Sequence, residues 1–233
     1  MKKKVLCTIC VRKGSKGLKN KNIKKINNTP LFLITLKQAL KSKIFDKIVV
    51  NSDSKIIKKI CGNYNVYFID RKKNLTQDYI SKIKVIRDSL IETEKKFDYL
   101  FDTIIDLDAT SPLREISDII KAYGCFNKSN YNNLVSGSEA KKNPYFNQIK
   151  INKKSVNIVC KNKKNIVSRQ QAPKIYDLNA SIYVWKRNSL LNAKKLINKK
   201  TGFFKMEIEK SLDIDSSLDF KIVKYILESK ASK

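Results

Sequence analysis

Histidine is absent from this 233-residue chain. The usual general base is therefore missing, and so are Ser-His and Cys-His nucleophile pairs and every His-containing metal site. Catalysis by such a chain rests on carboxylates, lysines, arginines, backbone amides and a hard metal ion. No apolar run reaches the roughly 18 residues that a membrane-spanning helix needs. Lys2, Lys3 and Lys4 before the apolar Val5–Val11 run have the outline of a signal peptide. Arg12 and Lys13 follow at once, without a small-residue cleavage site, so the run reads as a buried strand and a cytoplasmic protein is expected. Arginine is scarce too. Only six of the 50 basic residues are Arg, against 44 Lys, although the formal charge is +29. Nucleic-acid readers favour Arg and interleaved aromatics. Here lysine rises together with 30 Ile and 22 Asn, the mark of a compositional bias. Most of the charge is read that way, and no nucleic-acid or membrane partner is expected.

What is present suits one globular domain. The chain is 42% hydrophobic and 30% charged, long enough to remove roughly 70% of its unfolded surface from water. Five cysteines, an odd number, stand at 7, 10, 61, 125 and 160. Cys7 and Cys10 form a CxxC, but strand residues three apart face opposite ways. With no second pair and no His, buried free thiols in a reducing compartment are expected rather than a zinc site.

Apolar runs alternate with periodic segments. Strands are predicted at Lys4–Val11, Lys47–Asn51, Val66–Ile69 and Tyr99–Leu107. Between them, helices are predicted at Pro30–Lys43, after a cap at Asp53 or Ser54, at Thr76–Lys95 and at Ser117–Ser129. This rhythm argues for βαβ units and a mainly parallel sheet. Later come strands at Asn133–Ser138 and Asn179–Trp185, a hairpin of Gln148–Ile151 with Ser155–Val159, and a terminal helix from Ser216. The stretch from Ala140 to Pro173 breaks the rhythm and reads as an insertion, a lid or a dimerisation arm.

Three loops carry candidate chemistry. The loop Arg12-Lys13-Gly14-Ser15-Lys16-Gly17-Leu18-Lys19-Asn20-Lys21-Asn22 follows the first strand, where open α/β sheets bind ligands. It holds two of the six glycines, so its N–H groups can approach phosphate oxygens; otherwise it is a solvated basic turn. Asp213-Ile214-Asp215 puts two carboxylates on one side of an extended segment, a Mg²⁺ site or a capping acidic turn. Asp108-Ala109-Thr110-Ser111-Pro112-Leu113-Arg114 ends the fourth strand as a turn and helix start.

In this order, together with Asn179-Ala180-Ser181-Ile182-Tyr183, the loops resemble the acylneuraminate cytidylyltransferases over Lys4 to Ile226. The resemblance implies a Rossmann-like α/β fold of the nucleotide-sugar transferase type, with Ala140–Pro173 as a small β-containing dimerisation insertion. It also implies CMP transfer from CTP to a nine-carbon 2-keto acid sugar, Mg²⁺ or Mn²⁺ as cofactor, and a homodimer. Asp106-Leu107-Asp108, Lys142-Asn143-Pro144-Tyr145-Phe146-Asn147 and Arg169-Gln170-Gln171 look most like the branch acting on 5,7-diamino sugars such as legionaminate. Sialate, pseudaminate and 3-deoxy-octulosonate are the alternatives. By resemblance, Arg12, Gly14, Ser15, Lys16, Lys21, Asn22 and Arg71 hold the nucleotide, with Arg12, Lys16, Lys21 and Asp215 active in the transfer. Asp213 and Asp215 hold the metal. Asp108, Lys142, Arg169, Asn179 and Tyr183 serve the sugar. Lys13 stands where Gly is usual, Asp108 where sialate enzymes have Gln, and Lys82 where Ser is common.

Overall fold

The computed structural model describes residues 3–14, 17–153, 155–160 and 166–231. In chain order its strands are β1 (Val5–Cys10), β2 (Lys25–Ile26), β3 (Thr29–Pro30), β4 (Lys47–Ser52), β5 (Tyr67–Asp70), β6 (Thr103–Leu107), β7 (Asn133–Glu139), β8 (Ile149–Asn152), β9 (Ser155–Ile158), β10 (Tyr176–Lys186) and β11 (Thr201–Lys205). The helices are α1 (Leu31–Ser42), α2 (Lys55–Cys61), α3 (Lys82–Phe97), α4 (Ile116–Asn127), α5 (Arg187–Asn192) and α6 (Ser217–Ala231). The central sheet runs β11-β7-β10-β6-β1-β4-β5. Its pairs are parallel except those of β10, which lies antiparallel to β6 and β7.

Alternation sorts the core into two layers. Val5, Cys7 and Ile9 of β1 pack with Phe32 and Leu36 of α1 and Ile119 and Phe126 of α4. Leu6, pointing the other way, packs with Ile83, Ile86 and Leu90 of α3 and Leu190 of α5. Ile105 and Leu107 of β6 join the first layer and Ile104 the second. A strand buried on both faces must read as a near-continuous apolar run, as β1 does. Each such Leu or Ile contributes about 1.5–3 kcal/mol by leaving water.

Three boundaries differ from the sequence reading. Helix α3 starts at Lys82, six residues later than predicted, because the Ser81 hydroxyl accepts from Ile83 N–H and caps it there. The segment before it stays open as a loop. Strand β6 starts only at Thr103, since the N–H groups of Asp102 and Thr103 both donate to Lys4 O. Strand β10 begins at Tyr176, and its register against β7 shifts between Leu178 and Tyr183, where Ala180 takes φ 51°. The edge strand β11 and the short α5 carry too few periodic residues to be predicted. Pro30 caps α1 rather than opening it, Ser54 caps α2 through Ile57 N–H, and Ser216 Oγ accepts from Asp219 N–H at the start of α6.

The stretch from Ala140 to Pro173 leaves the sheet after β7 and returns where Ala140 N–H donates to Ile175 O. Within it β8 and β9 form a separate two-stranded sheet. Its apolar side chains Ile149, Ile151 and Val156 are 56%, 75% and 62% exposed. Among the described residues no helix is long and apolar enough to cross a membrane.

Candidate active site

A cleft of about 360 Å³ opens at the carboxyl ends of β1, β5 and β6, where a parallel sheet exposes its loops. One wall is the loop after β1, with Arg12, Gly14, Gly17, Lys21 and Asn22. Asn22 Nδ2 donates to Arg12 O at 3.0 Å and ties the two ends of this loop together. Lys13 N–H donates to Asp53 Oδ1 at 2.6 Å, outside the cleft wall. The Arg12 guanidinium reaches across the opening to an ion pair with Asp78, on the loop that precedes α3. Ser15 and Lys16 lie outside the described residues.

The basic loop and the acidic pair meet. A Cβ on Gly17 would stand 2.1 Å from Asp215 O, so only glycine lets the loop lie this close. Lys21 Nζ donates to Ile214 O at 2.5 Å and to Asp215 Oδ1 at 3.0 Å. Ile214 is fully buried and its N–H donates to Thr110 O at 3.0 Å, which fixes the segment against the loop after β6. The flanking carboxylates differ in setting. Asp215 is 79% exposed at its side chain. Asp213 has a buried Oδ1 with no hydrogen-bond partner. Burial pushes the Asp213 carboxyl above the usual range, and Asp108 and Asp215 add to the rise against Thr110 and Lys21. An unpartnered carboxylate oxygen beside a second carboxylate suits a hard cation such as Mg²⁺. Among the described residues no three such ligands gather into a preformed cage, so a cation here would need oxygen ligands from outside the chain.

Arg71 lies across the cleft. Its Nε donates to Asn51 Oδ1 at 2.8 Å and its Nη2 to Asn51 O at 2.9 Å. Burial lowers its pKa from the ordinary arginine value.

The floor holds a second charged group. Thr8 Oγ1 donates to Asp106 Oδ1 at 2.7 Å. Lys82 Nζ lies 2.8 Å from Asp106 Oδ2 and 2.6 Å from Asp108 Oδ2. Asp108 Oδ1 also accepts from Thr110 N–H at 3.0 Å and Thr110 Oγ1 at 2.8 Å. Burial opposes the charge on Asp108, but Lys82 and the Thr110 donors outweigh it and bring the carboxyl down to about 2. Burial likewise opposes the Lys82 ammonium, and its two carboxylate partners outweigh it and raise the pKa. Arg114 braces the loop from beneath, donating to Ser181 O at 2.7 Å, Thr35 Oγ1 at 3.1 Å and Gln38 Oε1 at 3.1 Å. Cys10 also lines the cleft, but burial pushes its thiol up to about 12, so it is no nucleophile.

Thus Arg12, Gly14, Lys21, Asn22, Arg71, Asp108 and Asp215 come together, with Asp213 behind Thr110. Four expected sugar residues do not line the cleft. Asn179 is buried and committed to the fold: its Oδ1 accepts from Ser136 Oγ and Ser181 N–H, and its Nδ2 donates to Ser211 Oγ. It shapes the β10 irregularity rather than presenting an amide to a ligand. Lys142 and Arg169 stand exposed on the 140–173 stretch, Arg169 with Nη2 at 3.5 Å from Ala140 O. Tyr183 is buried behind Lys82, its ring centroid 5.1 Å from Nζ. The sequence reading missed Asp78, and it named Thr110, Asp106 and Lys82 only within motifs, without a role in the site. Strand alternation was the available signal for Asp106, which must face as Asp108 does.

A mainly parallel sheet with a glycine-bearing basic loop pressed on an acidic pair defines an α/β nucleotidyltransferase. The family model described as cytidylyltransferase matches residues 6–230, and the chain belongs to that family. It is 45% identical over 227 residues to post-translational flagellin modification protein B of Campylobacter coli, covering 97% of this chain and 96% of that one. It is 44% identical over 228 residues to the CMP-N,N'-diacetyllegionaminic acid synthase of Campylobacter jejuni, again covering 97% and 96%. The structure of CMP:2-keto-3-deoxy-manno-octonic acid synthetase complexed with CTP shares the fold, with TM-score 0.68 at 15% identity over 97% of this chain and 99% of that one.

Proposed function

We propose that the chain transfers CMP from CTP to a legionaminate-type nonulosonate and releases pyrophosphate. The anomeric hydroxyl of the sugar attacks the α-phosphorus in line. An O–P bond forms, the bond from the α-phosphorus to the bridging oxygen breaks, pyrophosphate leaves, and the hydroxyl proton passes to solvent water. Such transfers depend on positioning and charge neutralisation more than on covalent chemistry. Arg12, Lys21, Gly14 and Gly17 line the cleft, and in this reading they take up the negative charge that builds on the leaving pyrophosphate, with Ser15 and Lys16 assigned to the same loop. Arg71 and Asn22 hold the nucleoside end. Asp213 and Asp215 would hold Mg²⁺ or Mn²⁺, which when bound neutralises phosphate charge and lowers the pKa of a coordinated oxygen.

The observation that carries this reading is the contact of Gly17 and Lys21 with the 213–215 segment, which brings cationic loop and carboxylates to one cleft. The acceptor assignment is supported by the 44% identity to a legionaminate enzyme. The test is pyrophosphate release with each of the four nucleoside triphosphates against legionaminate, sialate, pseudaminate and 3-deoxy-octulosonate. CTP with the diacylamino sugar should be turned over fastest; a different nucleotide or acceptor overturns the assignment.

The 140–173 stretch acts as a dimerisation arm in this reading. Its exposed Ile149, Ile151 and Val156 form an apolar face that a second copy would cover. Tyr145 and Phe146 sit at its base, and Lys142 and Arg169 on it are the groups through which the arm would reach an acidic sugar. Five free thiols suit a reducing, cytoplasmic setting.

A further inference from the structure

Strand β6 ends in two carboxylates that must lie on one face, Asp106 and Asp108. Lys82 is wedged between them at 2.8 and 2.6 Å, with the Tyr183 ring 5.1 Å away on another side. An ammonium has three N–H donors. One donates to Asp108 Oδ2, while Asp106 Oδ2 is an ion-pair partner that accepts no hydrogen bond among the described residues, and the side Lys82 leaves uncovered is part of the cleft wall. Asp108 Oδ1 is filled by the two Thr110 donors, while Oδ2 accepts from Lys82. Lys82 and Asp108 therefore present one donor and one acceptor side by side.

The trio of Asp106, Asp108 and Lys82 sets two carboxyl side chains against one ammonium, so its acidic groups outnumber its basic one. Such a group repels phosphate and carboxylate. It suits a neutral ligand part that offers both a carbonyl oxygen and an N–H, which is the chemistry of acylamino groups. We propose that Lys82 determines acceptor specificity: an N–H that it does not commit to Asp108 donates to the acyl carbonyl of a sugar acylamino group, while Asp108 Oδ2 accepts an acylamino N–H. The inference rests on the acceptor reading above. A site whose polar groups are left unpaired rejects the analogue that lacks the matching group, so a monoacylamino sugar is disfavoured relative to a diacylamino one.

The test is steady-state kinetics of the full chain with CTP and either N,N'-diacetyllegionaminate or N-acetylneuraminate. Three proteins are compared: wild type, Lys82→Met, and Lys82→Met/Asp108→Asn. The double variant removes one of the two carboxylates that lose their cation, and the thermal midpoint of each variant reads any fold defect. The expected result in both variants is that the preference for the diacylamino sugar falls by at least about tenfold. The loss should lie in the KM for that sugar, with the KM for CTP changed by less than about threefold. Equal losses on both sugars would make Lys82 a structural brace. A rise in the KM for CTP would assign it to the nucleotide. Either outcome overturns the proposal. A wild type that turns over neither sugar refutes the acceptor reading itself, and Lys82's role with it, before any variant is compared.

Discussion

Gly17→Ala is the sharpest test of how the site is assembled. A methyl carbon at Gly17 would stand 2.1 Å from the backbone oxygen of Asp215 and 3.3 Å from its carbonyl carbon. Side-chain carbons do not approach backbone oxygen much closer than about 3 Å, so loop and carboxylate segment must separate by about 1 Å. Neither side yields cheaply. Ile214, next to Asp215, is fully buried with its N–H on Thr110 O, and Lys21 spans from the loop to Ile214 O and Asp215. Overpacking of this kind costs about 1–3 kcal/mol. A misplacement of that size near reacting groups lowers turnover about 100-fold. The assay is pyrophosphate release at saturating CTP and Mg²⁺, with a urea melt run alongside. The expected pattern is a large fall in kcat with a modest loss of stability, because Gly17 is itself exposed. Activity within about threefold of wild type would show that the loop does not rest on Asp215 during turnover, and the argument joining the two motifs would fail.

Asp215→Asn should lower kcat by about two decades, roughly 3 kcal/mol; near-normal activity at saturating Mg²⁺ would remove Asp215 from the metal site. Lys21→Ala should impair catalysis strongly and Lys13→Ala only slightly, since Lys21 contacts the acidic segment while Lys13 uses its backbone N–H on Asp53; equal mild effects would make the loop a solvated turn. Ile151→Asp/Val156→Asp should convert a dimer to a monomer in light scattering, because both side chains are exposed on the arm; a wild type already monomeric at working concentration contradicts the arm's role. The Asp108 carboxyl sits at about 2 when folded against an ordinary 3.8, so its stabilisation is complete above pH ~4 and is lost as pH falls toward 2, about 2 kcal/mol in all. Urea unfolding of wild type and Asp108→Asn should converge over that window, and a difference independent of pH would refute the Lys82–Asp108 geometry.

Much of the fold could be read because its elements are short-range facts. Val5–Cys10 is apolar on both faces, and Leu33, Leu36 and Ala39 recur at helical spacing and are buried. Ser81 shows where local pattern misled. Ile80 falls in step with Ile83, so the helical period seems to run on upstream, but the cap at Ser81 interrupts it. That interruption gives the Arg12–Asp78 ion pair its loop. Asp108 was found as a site residue, yet its partner Lys82 comes from another element, and no spacing rule links an α3 lysine to the end of β6. Asn179 was assigned to the sugar by resemblance alone, and its partners Ser136, Ser181 and Ser211 are tertiary contacts that no local pattern shows. Pairings across the fold are tertiary facts, and they decide which polar groups remain free to meet a ligand.

The reversed direction of β10 sets an order on biosynthesis. A parallel sheet delivers each loop to the same rim as soon as its strand is made, so the basic loop and the β6 turn are available early. Strand β10 runs the other way and leaves its C-terminal end at the opposite rim. The chain must then recross the sheet along β11 before Asp213 and Asp215 arrive. A chain that ends at β11 lacks Asp213 and Asp215. Domains generally fold as units, so the acidic half of the cleft is completed only when the segment after β11 is in place.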